Sequence, residues 1–222
     1  MKVSNKLENP MSKVIIRLIV TNGNTSKSRD IILLKKIAEK VNGISKFLLY
    51  QTIFIQPKYS AIKEQISPTG SLKATFRAIK YIDEKEGKII KAYLIIADIE
   101  HKKEMENTIK EFGFENVRNL DNGTVILKNS NHKLIILVFL GEKLCLEEQI
   151  LLYLRNTNEI KDLDKLNEIK NCNEIKGIIK KNNEVRRYFS NFEDTLEYLI
   201  KKLNKNFFPQ IWEAMEFIEK YC

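Results

Sequence analysis

The chain has 222 residues, is 43% hydrophobic and carries a net charge of +9, enough apolar material to bury a core in one large domain or one domain with a small appendage. No apolar run approaches the about 18 residues of a membrane span; residues 1–10 are polar, unlike a signal peptide, and Cys145, Cys172 and Cys222 show no paired spacing. The expectation is a basic, cytoplasmic protein with reduced thiols and no membrane association, its charge concentrated in residues 1–80, where 15 Lys and Arg face 4 Asp and Glu; residues 81–150 are net acidic at −3 and the remainder is +1.

Val14–Val20 is a largely β-branched apolar run broken only by Arg17, which predicts a buried strand. A loop over 21–28 follows, rich in Gly, Ser, Thr and Asn. Such a loop between strand and helix can offer backbone N–H groups to a phosphate, with Lys27 and Arg29 adding charge, or be an ordinary turn. It lacks both the Gly-Lys-Ser/Thr ending of a P-loop and the glycines of a dinucleotide fingerprint. Residues 31–41 have helical apolar spacing, with Asp30 as the expected cap and Gly43 as the stop.

Residues 47–56 read as a second strand ended by Pro57, and 71–86 as a helix with Lys73, Arg77 and Lys80 on its exposed face. Residues 89–97 form a third strand, followed by a helix over 102–112 that stops at Gly113. Strands are expected at 124–127 and 133–140, joined by the turn residues Asn129-Ser-Asn131. Gly141 leads into a helix over 145–154, and from Asn156 onward the pattern is almost wholly helical. The repeated Asn-Glu-Ile-Lys at 158–161, 167–170 and 173–176 reads as loop and helix surface. Alternating strands and helices imply an α/β fold with a mainly parallel sheet covered on both faces. The expected division is an α/β domain over 1–155 and a helical extension over 156–222, packed on or next to it.

The chemistry concentrates in Ala92-Tyr-Leu-Ile-Ile-Ala-Asp98-Ile-Glu100, a buried-type run that ends in two acids spaced i, i+2. A continuing strand would point both carboxylates the same way from its carboxyl end. There they repel unless a divalent cation or a basic partner neutralises them. Glu147 and Glu148, at the start of the helix after the fifth strand, are the second acidic pair. Carboxylates from two strand ends can share one Mg²⁺ or Mn²⁺, or Glu147 and Glu148 can simply complement the helix dipole. His101 and His132 carry weaker signals, and no zinc or serine-hydrolase spacing occurs. Tyr188, Phe189, Phe207, Phe208 and Trp212 could stack bases, but at helical spacing with Leu and Ile such residues are more often core or partner contacts. Arg186 and Arg187 beside Tyr188 are the local choice for contact with a nucleic-acid backbone.

Leu94-Ile-Ile-Ala-Asp98-Ile-Glu100, followed by a helix closing at Phe112-Gly-Phe114, resembles the Asp-x-Asp unit of the Toprim-like superfamily. Gly141-Glu-Lys-Leu-Cys-Leu-Glu147-Glu148 is similar to its late acidic unit. That superfamily includes topoisomerases, primases, overcoming-lysogenisation-type nucleases and small archaeal and bacterial proteins. The resemblance spans roughly residues 14–155 and lies in the order of the units. It implies a Toprim-like sheet, Mg²⁺ held by Asp98, Glu100 and Glu148 with Glu147 nearby, and phosphodiester cleavage or transfer. Two departures stand out: where the family has an early Glu-Gly, this chain has Val20-Thr21-Asn22-Gly23, and Asp98-x-Glu100 replaces Asp-x-Asp. Without the early Glu the family's acid–base role has no obvious occupant.

The expectation is therefore a nucleic-acid-associated protein. Asp98, Glu100, Glu147 and Glu148 are the catalytic set, with Lys27, Arg29, Lys73, Arg77, Arg186 and Arg187 as backbone contacts. The alternatives are a binding subunit that kept the fold without catalysis, and a nucleotide-sensing α/β domain. The C-terminal helices are the expected surface for a protein partner or a second copy.

Overall fold

The computed structural model describes residues 14–21, 28–43, 48–52, 71–161, 166 and 168–222. Residues 22–27 of the expected loop over 21–28, with Lys27, and all of 53–70 lie outside these. The described elements run β1 (Val14–Val20), α1 (Arg29–Asn42), β2 (Leu48–Thr52), α2 (Leu72–Glu86) and β3 (Ile90–Asp98). A 3₁₀ turn (Ile99–Glu104) and α3 (Met105–Phe112) lead to β4 (Glu115–Asn119), β5 (Val125–Lys128) and β6 (Leu134–Leu140). The helices α4 (Leu146–Asn156), α5 (Cys172–Lys181), α6 (Asn183–Ser190), α7 (Phe192–Leu203) and α8 (Pro209–Tyr221) complete the chain.

The sheet order is β2-β1-β3-β6-β5-β4, with β2, β1, β3 and β6 parallel and the β5-β4 edge antiparallel. Alternation along the strands builds two cores. Ile16, Leu18 and Val20 of β1, Ala92, Leu94 and Ile96 of β3, and Ile136 and Val138 of β6 face α1, α4 and the helices from α5 onward. Ile19, Tyr93, Ile95, Ala97, Ile135 and Leu137 face α2 and α3 on the other side. Period-two burial on both faces explains why these strands read as continuous apolar runs. The C-terminal helices contribute Ile175, Val185, Phe189, Leu199, Trp212 and Ile218 to the first core, so the helical extension packs on the sheet. Among these, Phe207 and Phe208 are fully buried and Trp212 nearly so, as core residues rather than stacking platforms.

Local signals act as the residue chemistry dictates. Ser71 caps α2, its hydroxyl accepting from Ala74 N–H at 3.1 Å. Gly113 ends α3 in the left-handed region at φ 66°. Two details differ from expectation. The N-cap position of α1 is Ser28, so Asp30 sits inside the first turn rather than capping it. The helix expected over 102–112 begins as a 3₁₀ turn at Ile99, so Glu100 leaves the strand's alternation and does not project as its i+2 neighbour. The strand β4 has no counterpart among the expected elements.

At the amino-terminal end of the sheet, buried Asp83 accepts from Tyr93 Oη at 3.0 Å and Asn129 Nδ2 at 3.1 Å, and also from Asn131 Nδ2 and Lys133 Nζ. Burial alone would raise this carboxyl, but the bonds from Lys133, Asn131 and Tyr93 hold it below its ordinary value. The Arg17 that interrupts β1 is also buried, its Nη2 donating to Glu86 Oε2 at 2.9 Å and its Nη1 to Gln51. These bonds satisfy most of the polar groups the sheet encloses there, while the buried Arg17 Nε has no hydrogen-bond partner among the described residues.

Candidate functional site

In an open parallel sheet, ligands sit beyond the carboxyl ends of the strands where the winding direction reverses. Here that reversal lies between β1 and β3, since β2 adds to one side of β1 and β3 to the other. Asp98 ends β3 at this rim, level with Leu140 at the end of β6. Its Oδ1 accepts from Leu146 N–H, the first residue of α4, at 3.1 Å. The carboxylate thus meets one of the orphan donors that every helix start exposes.

Glu147, one residue into α4, takes an ion pair from Arg29 Nη1 at 2.8 Å. The Arg29 guanidinium also lies 4.9 Å from the Phe189 ring centroid and 5.8 Å from that of Phe192. Arg29 therefore ties α1 to α4, α6 and α7. Glu148 points elsewhere: it is buried, and its Oε2 accepts from Lys143 N–H at 3.0 Å and Leu144 N–H at 2.8 Å, holding the β6–α4 loop.

The residue that joins this rim unexpectedly is Asp30. Its carboxyl is pushed up to about 7 by burial first, then by the negative charges of Asp98 and Glu147. Its own backbone N–H and Lys176 oppose the rise without cancelling it. An acid in the second position of the helix after β1 is the signal that marks it, since that turn ends at the same rim as β3. Cys172, at the start of α5, reports the same convergence. Its thiol is pushed up to about 11 by burial, with Asp98, Glu100 and Glu147 adding to the rise and a hydrogen bond with Cys145 opposing it. Buried Cys145, the N-cap residue of α4, has its thiol raised by burial and by that hydrogen bond.

Asp98, Glu100 and Glu147 thus act on one region, with Asp30 beside Asp98 and Glu147, while Glu148 is committed to the loop. Carboxylate oxygens are the donors Mg²⁺ or Mn²⁺ prefers. Yet among the described residues no three Asp, Glu, His or Cys side chains are grouped to hold an ion, and Asp98, Glu147 and Glu148 each already hold a partner. The residues as placed do not form a metal cage.

The expected nucleic-acid contacts are scattered. Lys73 pairs with Glu111 at 2.6 Å, and Arg77 is exposed on α2. Arg186 and Arg187 are exposed on α6, the latter 5.2 Å from the Tyr188 ring centroid. His101 Nδ1 lies 2.8 Å from Glu104 Oε1, which also accepts from Leu72 N–H, fastening the 3₁₀ turn to α2. His132 occupies an exposed turn at φ 59°. No helix among the described residues is long and apolar enough to cross a membrane. No protein-family model, curated protein or solved structure matches the chain.

Proposed function

We propose that the chain is a Toprim-like, nucleic-acid-associated protein whose carboxylate rim acts on phosphodiester bonds. The observation that carries this reading is the meeting of Asp30, Asp98 and Glu147 at the winding reversal of a parallel sheet, with one carboxyl titrating near neutral pH. Perturbed acids gathered at such a rim are a mark of function. A carboxyl near 7 can give a proton to a leaving oxygen or take one from an attacking hydroxyl, assistance typically worth about 10²–10⁴-fold in rate. Asp30 supplies the group that the missing early Glu leaves vacant. The net charge of +9 supports a polyanionic substrate.

A second reading, a binding protein without catalysis, is favoured by the partners that Asp98 and Glu147 already hold. Incubating labelled single- and double-stranded DNA and RNA with the full chain, with and without Mn²⁺, separates the two. Shortened or rejoined strands that vanish in Asp30→Asn support catalysis. Intact strands that bind with a steep salt dependence support the binder, and no binding at low salt defeats both.

A further inference from the structure

Beside the acidic rim, on the other side of Glu100, lies a cavity of about 500 Å³. Three segments distant in sequence build it: the 3₁₀ turn contributes Lys102 and Lys103, the β6–α4 loop contributes Lys143, and the start of α5 contributes Lys170 and Cys172. Among the described residues, Glu100 is the one carboxylate in its wall. None of the four ammonium groups is ion-paired with a described residue. Lys102, Lys103, Lys143 and Lys170 line one concavity, and an anion seated there would meet their positive charge.

The first turn of α5 sharpens the picture. Asn171 Oδ1 takes the N–H groups of Asn173 and Glu174, both at 3.1 Å, and Glu174 accepts from Lys170 N–H at 3.0 Å and Asn171 Nδ2 at 2.7 Å. Those helix-start amides are spent, so the lysine side chains and not the helix terminus supply the attraction. Glu174 is occupied by that capping exchange, whereas Glu100 remains in the wall as an acceptor.

We propose that this cavity holds one nucleotide unit, its phosphate among Lys102, Lys103, Lys143 and Lys170 and a sugar hydroxyl or base amino group on Glu100. The volume falls within the about 300–1,000 Å³ of ordinary ligand pockets. Lysine ammoniums act as point charges and read phosphate without demanding a fixed plane. A wall of lysines alone would suit any polyanion, and Glu100 selects a phosphate ester that also carries hydrogen-bond donors. The same chemistry comes from a free nucleotide or from the phosphorylated end of a strand. The site stands whether or not the neighbouring carboxylates do chemistry, because none of its lysines belongs to that group.

The test is equilibrium binding of fluorescent ADP and of 5′-phosphorylated and 5′-hydroxyl single strands of one sequence, to the full chain without divalent metal. The variants are Lys143→Gln/Lys170→Gln and, as control, Lys180→Gln/Lys181→Gln, exposed at the far end of α5. The cavity variant loses about tenfold or more in affinity, and its salt slope for strands shrinks by about 1.4, the share of two phosphate contacts. Its melting temperature matches that of the control. ADP bound as well as strands identifies a free-nucleotide site, and preference for the 5′-phosphorylated strand identifies a strand end. Equal losses in the two variants, or wild-type affinity in the cavity variant, overturn the assignment, whatever the cleavage assay shows.

Discussion

The Asp30→Asn substitution replaces the acid at the rim by a neutral side chain of the same shape, and its effect on stability has a computable sign. Asp30 rises from an ordinary value of 3.8 to about 7 in the folded protein, and each tenfold in proton affinity is worth about 1.4 kcal/mol. The folded state therefore binds this proton more tightly than the unfolded chain. That stabilisation is complete below about pH 4, is lost as pH rises toward 7, and amounts to about 4 kcal/mol. Asparagine resembles the protonated form, so it removes the penalty of a charged group at high pH and changes little at low pH. For a chain of this length about 1 kcal/mol corresponds to about 2–4 °C in melting temperature. Calorimetric or circular-dichroism melts should thus show wild type and variant coinciding near pH 4. By pH 8 the variant should melt about 8–16 °C higher. Subtracting the two proteins cancels the titrating groups remote from this rim, including Asp83. A pH-independent difference, or a variant less stable at pH 8, would show that Asp30 does not feel Asp98 and Glu147 as described. A stabilised but inactive variant is what a functional acid predicts, since active sites hold strain that the rest of the fold supports.

Gly141 lies at φ 96°, and a Cβ there would stand 2.6 Å from Cys145 N. Gly141→Ala should therefore cost at least about 1–3 kcal/mol in a denaturant melt; a change under about 0.5 kcal/mol, the size of a neutral surface substitution, would refute the close approach. Lys133→Met strands the buried Asp83 carboxylate and should cost about 3–5 kcal/mol at pH 7. Because the folded Asp83 carboxyl lies below its ordinary value, that stability is present above about pH 4 and lost in more acidic solution, so the gap between the proteins should narrow there; a constant gap speaks against the pair. Cys172, with its thiol at about 11, should alkylate slowly at neutral pH, accelerating about tenfold per pH unit below that value and faster in Asp98→Asn. Peptide mapping that finds Cys172 as reactive as an ordinary exposed thiol would contradict the acidic surroundings assigned to it.

The strands of the parallel core were legible because each is buried on two faces and must be apolar throughout. The strand β4, Glu-Asn-Val-Arg-Asn, was not: all five residues are exposed at the sheet edge, so no burial stamps a period on them, and only pairing with β5 makes them a strand. Asp98 was identifiable from the abrupt end of an apolar run. Its link to Glu100 by strand alternation was not sound, because the chain turns into a 3₁₀ helix at Ile99 and Glu100 reaches the region by another route. Asp30 was misplaced as a cap because Ser28 and Asp30 both suit a helix start, and only the geometry at the end of β1 separates them. Lys102, Lys103, Lys143 and Lys170 are spread over three segments, and nothing in their local spacing brings them together.

The most direct test is a carbon-13 NMR titration of the Asp30 carboxyl in the wild-type chain and in Asp98→Asn. A midpoint of about 7 that falls when Asp98 is neutralised is the predicted result. A wild-type midpoint near the ordinary aspartate value of about 4, or one indifferent to Asp98, would mean that these acids do not share a site.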